Sequence, residues 1–385
     1  GVHCTNHNFN PGIIEPNSPT SGINREELTK KSAFENAMYL NIEHKIDERL
    51  TINYGARLSN FLRLGQSELN RYELNSPVNF NDDLGIYQPA DPIGIINSSK
   101  KNVEASFTNI EPRVSAVRLL GYNSSVKISY NRMVQYLHLL SNTTAPTPLD
   151  VWAPSGKYIK PQLLDQIALG FYKKNNWYSF EIEAFLKKTR NRIDYIDGAD
   201  LLINKYFEGD ILSGLGRSYG LEFLIKKNRG NFNGWISYTY GRSELKINGI
   251  NNFNWYPTRY DQTHNFKVTS TYEISKRIQL SGNFVYLTGT PVTFPSSKYV
   301  IQGFAIPHNA ESTRHQFRIP NYHRLDISAT INGKKLKRNG KERKNDSSVI
   351  ISIYNLYNRR NPFSIYFSQG KSNVTENFVP GEVTR

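Results

Sequence analysis

Residues 177–191, WYSFEIEAFLKKTRN, set Phe180, Ile182, Ala184 and Leu186 on one side of a two-residue period and Glu181, Glu183 and Lys187 on the other. Only Phe185 breaks the alternation. The run is longer than an ordinary sandwich strand and lacks the 3.6-residue beat of a helix. The same pattern recurs at 33–46, 49–64, 105–120, 124–140, 161–173, 211–227, 231–247, 260–275, 278–294, 321–333 and 347–367. It predicts about 12 strands and no helix longer than about two turns.

The connections alternate in length. Gly121-Tyr122-Asn123, Lys174-Asn175-Asn176, Asn228-Arg229-Gly230 and Lys276-Arg277 are tight turns, whereas 65–104, 141–160, 192–210, 248–259 and 295–319 are long polar loops. The basic segment 334–346 is the exception. In an up-and-down antiparallel sheet every second connection lies on the same edge, so one edge carries turns and the other large loops. Transmembrane β-barrels have this asymmetry, and their strands need roughly 9–11 residues to cross a bilayer. A water-soluble sandwich also alternates apolar and polar positions, but with shorter strands and similar loops at both ends. Trp177, Tyr178, Tyr238, Tyr240 and Tyr286, near strand ends, fit an interfacial aromatic girdle. The predicted fold is therefore all-β: an antiparallel up-and-down transmembrane β-barrel wall, apolar towards lipid and polar towards a wet interior.

Composition agrees. The 385 residues are only 38% hydrophobic, which leaves no apolar run for a spanning helix, yet 24 Tyr, 20 Phe and 4 Trp are too many for a disordered chain. The net charge of +15 points to an anionic partner, but its basic residues are spread along the chain, which argues against nucleic acid and leaves an anionic membrane surface or acidic ligands. Cys4 is the single cysteine, so no internal disulfide exists.

Five stretches in order, NIEPRVSAVRLL…VKISYNRMVQYLHLLSN (109–142), GLGRSYGLEFLIKKNRGNFNGWISYTYGRSE (214–244), YPTRYDQTHNFKV (256–268), YHRLDISATI (322–331) and SVIISIYNLYNRRNP (348–362), resemble the C-terminal part of the barrel of TonB-dependent outer-membrane receptors in the Bacteroidota style, with the carboxypeptidase-regulatory-like subfamily as the nearest likeness. The resemblance implies part of a barrel of about 22 strands. On that plan 1–32 is an extracellular loop segment, 33–367 the transmembrane wall, and 368–385 a further extracellular loop segment before a last strand. The plug, which carries the energy-coupling TonB box, lies outside the matched region. The implied setting is the outer membrane of a Gram-negative cell, and the implied function is import of a scarce nutrient such as a siderophore, glycan or peptide. The implied partners are outer-membrane lipid, the TonB complex acting through the plug, and a surface lipoprotein. A passive porin-like or adhesin-like barrel is the alternative, and the presence of a plug separates the two. Trp152, Trp255 and Tyr256, on loops rich in aromatic and polar residues, are the candidate substrate contacts.

Candidate chemistry is sparse. Asp261 and His264 lie three residues apart, which on a strand points them to opposite faces. His3, Cys4 and His7 bring soft ligands together, but a zinc site needs a further set at defined spacing. Gly214, Gly216 and Gly220 spell part of a phosphate-loop pattern with no helix following, so they read as places where a strand bends. His138 with Ser141 and Asn142 offers a base and a hydroxyl without anything to activate the serine. The run 334–346 holds many cations but no interleaved aromatic for base stacking, and reads as a solvated connection. No catalytic residue, metal or cofactor is expected.

Overall fold

The computed structural model describes residues 1–18, 25–140, 151–199, 204–301, 304–308, 313–334 and 345–362. One 14-stranded antiparallel sheet dominates it. Its path runs through Val2–Phe9 (β1), Lys31–Lys45 (β2), Leu50–Leu64 (β3), Val103–Gly121 (β4), Ser124–Gln135 (β5), Gln162–Lys174 (β6), Tyr178–Tyr195 (β7), Ile211–Lys227 (β8), Phe232–Lys246 (β9), His264–Glu273 (β10), Ile278–Leu287 (β11), Tyr322–Asn332 (β12) and Ser348–Ile353 (β13), each strand paired with its neighbour in the series. The two-residue strand Tyr256–Pro257 pairs beside β9. Among the described residues the only helical pieces are three short 3₁₀ turns, and no helix is long and apolar enough to cross a membrane.

Meander order follows from the tight turns. Tyr122 and Asn123 join β4 to β5, and Asn175 Oδ1 accepts the Trp177 and Tyr178 amides at 2.9 and 2.7 Å in the turn to β7. At the other edge the connections build small structures of their own. Leu137–Leu140 pairs with Val151–Pro154, Leu69–Tyr72 with Pro92–Ile96, and Ser297–Ile301 with Phe304–His308.

The two faces of the wall sort as the alternation demands. On one, Met38, Leu58, Ile110, Ile128, Leu169, Leu186, Leu221 and Ile236 stand exposed. On the other, Arg57 Nη2 donates to Glu35 at 2.7 Å and Arg57 Nη1 to Glu111 at 2.5 Å, while Phe61 stacks on Tyr136 with centroids 4.7 Å apart. The first face is the lipid side. Every interior strand closes its backbone bonds with neighbours, which is the condition for crossing a hydrocarbon layer. Phe185, the residue out of pattern, points inward and lies opposite Gly220, where a side chain would meet its ring at 3.0 Å. An aromatic on the wet face is thus accommodated by a glycine across the strand pair.

Three expectations need revision. Residues 2–9 are strand, not loop, and pair with β2 from Val2↔Met38 to Phe9↔Lys31. VHCTNHNF is polar on both faces, so hydropathy gives no period to find; backbone pairing makes the strand. The segment 347–367 is not one long strand: β13 ends at Ile353, and Asn355 and Asn358 follow in left-handed conformations with φ of 55° and 51°. Asparagine tolerates that region and turns the chain. Asp261 precedes β10 instead of lying in it. Residues 335–344 of the basic run, and 363–385, lie outside the described residues.

Candidate functional site

The long-loop edge carries the elaborated surface. Its floor is a cluster of Ile196, Leu212, Leu245, Ile247, Ile250 and Tyr256, against which Val78 and Tyr87 of the 65–102 loop pack. Burying apolar side chains from three separate connections against the ends of β8 and β9 turns them into one body. Polar bonds lock it. Arg314, buried, pairs with Asp194 at 2.9 Å and Asp197 at 3.2 Å, and Tyr256 Oη donates to Asp194 at 2.5 Å. The Arg314 amide donates to Asn251 Oδ1 at 2.9 Å, while Asn251 Nδ2 donates back to the Arg314 carbonyl at 3.3 Å. Burial disfavours the charged guanidinium, but Asp194 and Asp197 outweigh it and hold Arg314 above its ordinary pKa. Burial, reinforced by the Asp194 charge, raises Tyr256, and burial lowers His315 against the pull of the Pro257 carbonyl.

A second cluster joins Leu140, Ala153, Ile159, Phe207 and Ile211. Lys31 sits above it, 3.3 Å from Glu208 and 3.7 Å from the Phe207 ring centroid. His138 lies in the adjoining hairpin. Gln162 Oε1 accepts from Arg192 Nη1 at 3.1 Å, so the Gln162 amide nitrogen faces His138 Nδ1, 3.1 Å away, and donates to it. The imidazole proton therefore sits on Nε2 and donates to Ser155 Oγ at 3.0 Å. That is the opposite polarity to a general base taking a serine proton. Burial lowers the His138 pKa to about 4, so the ring is neutral. The histidine ties the hairpin to the wall; Ser141 and Asn142 lie outside the described residues.

The structure separates the three sequence-picked contacts. Trp152 stands on the Val151–Pro154 strand with 51% of its surface exposed. Tyr256 is 2% exposed, in the floor of the other cluster. Trp255 covers Arg217 at 4.2 Å, and Arg217 belongs to the outer face of β8. Asp261 and His264 take different partners, but not as opposite faces of one strand, since Asp261 lies before β10. Asp261 accepts the Ser243 amide at 2.6 Å and pairs with Arg318, while His264 stacks outward on Tyr238. His3 and His7 share the inner face and Cys4 the outer one, so they form no ligand set. Among the described residues no group of acidic, histidine or cysteine side chains could hold a metal. The Asp194–Arg314 lock was not read from the sequence; its members stand far apart in the chain, and no local pattern marks them.

Wall, aromatic outer rows and one-sided loops define an outer-membrane β-barrel. The family model described as TonB dependent receptor-like, beta-barrel, matches residues 4–356, and the chain belongs to that family. Solved structures agree in fold. The ferric-catecholate import receptor Fiu of E. coli aligns at 15% identity with a TM-score of 0.55, over 94% of this chain and 47% of that one. The ferric preacinetobactin receptor BauA of Acinetobacter baumannii aligns at 16% and 0.55, over 95% and 44%. The ferric yersiniabactin uptake receptor FyuA of Yersinia pestis aligns at 14% and 0.52, over 90% and 44%. The chain thus spans about half the length of these receptors. No curated protein matches by sequence.

Proposed function

We propose that this chain is the wall and loop face of a receptor that captures a scarce nutrient outside the cell and passes it across the outer membrane, driven by the TonB complex through a plug seated in the lumen. The family match over residues 4–356 carries the reading. The long-loop edge is taken as the extracellular one, because barrels of this kind keep their tight turns on the periplasmic side. Loops 65–104, 141–160, 192–210, 248–259 and 295–319 then form the capture surface. The exposed Trp152 offers a stacking platform there, and Tyr256 stiffens the loop that carries Trp255. A surface lipoprotein would sit on the same face. The chain contributes binding and passage, not bond-breaking chemistry.

Ferric chelates head the list of cargo, because the solved receptors named above carry them; glycans and peptides follow. Uptake of a radiolabelled panel by cells carrying the full-length protein tests this. The expected result is saturable uptake of one class, abolished by a protonophore or by loss of TonB. Uptake indifferent to both would favour the passive barrel instead.

A further inference from the structure

The tight-turn edge of the wall forms a basic ledge. Segments 118–125, 172–178 and 225–232, which make three successive turns on that edge, hold Arg118, Lys173, Lys174, Lys226, Lys227 and Arg229 and no carboxylate. Backbone bonds stitch the turns together. The Lys174 amide donates to the Asn123 carbonyl at 2.8 Å, and the Asn228 amide to the Trp177 carbonyl at 3.0 Å. Register puts three of the six cations on the outer face: Arg118 lies opposite Val126, Lys173 opposite Ser124 and Phe180, and Lys227 opposite Tyr178. The apolar outer positions of β5, β7 and β8 end there, at Val126, Phe180 and Ile225. The cations thus stand where hydrocarbon gives way to headgroups.

The wall does not neutralise them. Among the described residues no carboxylate oxygen lies within 4.0 Å of Arg118, Lys173 or Lys227. Glu181, the nearest acid along β7, shares the inner face with Tyr172 and Leu224. In the neighbouring turn, Asp47 Oδ1 already accepts the Arg49 and Leu50 amides at 2.6 and 2.8 Å. Lys227 Nζ donates to the Arg229 and Phe232 carbonyls at 2.8 Å each, whereas Arg118 and Lys173 stand exposed. Cations gathered without counter-charges raise the local concentration of an external anion.

The surroundings narrow its chemistry. Between the first two turns runs a groove of about 420 Å³, lined by Tyr122, Asn123, Ser124, Lys174, Asn175 and Asn176 among others. Asn175 Oδ1 is taken by the Trp177 and Tyr178 amides, which leaves its side-chain N–H groups to donate. Hydroxyls and amides beside cations suit a phosphate ester that carries hydroxyls of its own. Tyr122, Trp177, Tyr178 and Phe232, all exposed, flank the ledge as rings suited to the boundary between acyl chains and headgroups.

We propose that this ledge holds an anionic phospholipid of the periplasmic leaflet, with Arg118 and Lys173 on its phosphate and the groove beside Tyr122 and Asn175 on a hydroxylated headgroup. The site needs only the wall and its tight turns, so failure of the import reading leaves it standing. Native mass spectrometry of the full-length protein in detergent tests it, with phosphatidylglycerol, phosphatidylethanolamine and glycerol phosphate as probes. The expected result is preferential retention of phosphatidylglycerol. Arg118→Gln with Lys173→Gln is expected to weaken that retention by about 25-fold, a factor of about 5 per charge. Lys173→Gln alone, which breaks no ion pair, is expected to cost about fivefold and covers the case in which the double variant misfolds. Lys127→Gln with Lys187→Gln, the same charge loss on the inner face, is expected to change nothing, as is Lys188→Gln with Arg190→Gln at the long-loop end of β7. A loss confined to the long-loop pair, or shared equally by the inner-face pair, overturns the proposal. Equal retention of phosphatidylethanolamine, or displacement of the lipid by an equal concentration of glycerol phosphate, does so as well.

Discussion

At the scale of single residues, His138 and Arg314 show how buried polar groups hold the loop face. The His138 pKa of about 4 lies below the ordinary 6.5, so the opened hairpin takes up the proton first. Its contribution to stability is complete above about pH 6.5 and is lost as the pH falls towards 4. Hydrogen exchange at Val151–Pro154, corrected for intrinsic rates, is expected to accelerate over that window. In His138→Gln, which cannot titrate there, the acceleration should disappear; its persistence would place the titrating group elsewhere. Arg314→Met leaves the half-buried Asp194 and Asp197 without their cation, and Tyr256 Oη then faces an uncompensated charge. Because water reaches both carboxylates, the loss is about 1.5–3 kcal/mol, the range for hydrogen bonds to charged groups. Protease nicking in residues 247–263 should rise steeply while the wall stays folded, and an unchanged digestion pattern would show that the apolar cluster suffices.

At the scale of elements, the wall depends on close approach between strands. A Cβ on Gly220 would lie 2.3 Å from the Tyr240 carbonyl oxygen and 3.0 Å from the Phe185 ring. Gly220→Ala is therefore expected to destabilise the wall by about 1–3 kcal/mol through overpacking. Phe185→Ala should not rescue it, because the nearer obstacle is backbone. The midpoint of urea unfolding, followed by heat-modifiable gel mobility, reads both outcomes. The strand-length expectation succeeded along Phe180, Ile182, Ala184 and Leu186, but ran long at 278–294, where the strand ends at Leu287. It failed at VHCTNHNF, where both faces are polar, and at 347–367, where a left-handed Asn355 ends the strand although the apolar residues continue.

At the scale of the whole molecule, the one-sided loops define an orientation that can be measured. With Cys4 replaced by serine, single cysteines at Trp152 and Tyr122, both solvent-exposed, lie on opposite edges of the wall. On intact cells a membrane-impermeant maleimide is expected to label Trp152→Cys and to spare Tyr122→Cys until the outer membrane is permeabilised. The reverse pattern would invert the barrel and with it the assignment of the capture surface.

The two-residue period, the strand lengths and the alternation of short and long connections are properties of consecutive residues. The sequence by itself therefore determined the antiparallel wall, its lipid and lumen faces, and the edge that carries the loops. Contacts between residues far apart in the chain leave no such local trace. Register placed Lys173 opposite Phe180 and Lys227 opposite Tyr178, and bonds between turns drew six cations into one ledge. Loop packing buried Tyr256, turned Trp255 onto Arg217 and left Trp152 exposed. Those pairings depend on which strand lies beside which and at what offset, so only the tertiary structure could decide them.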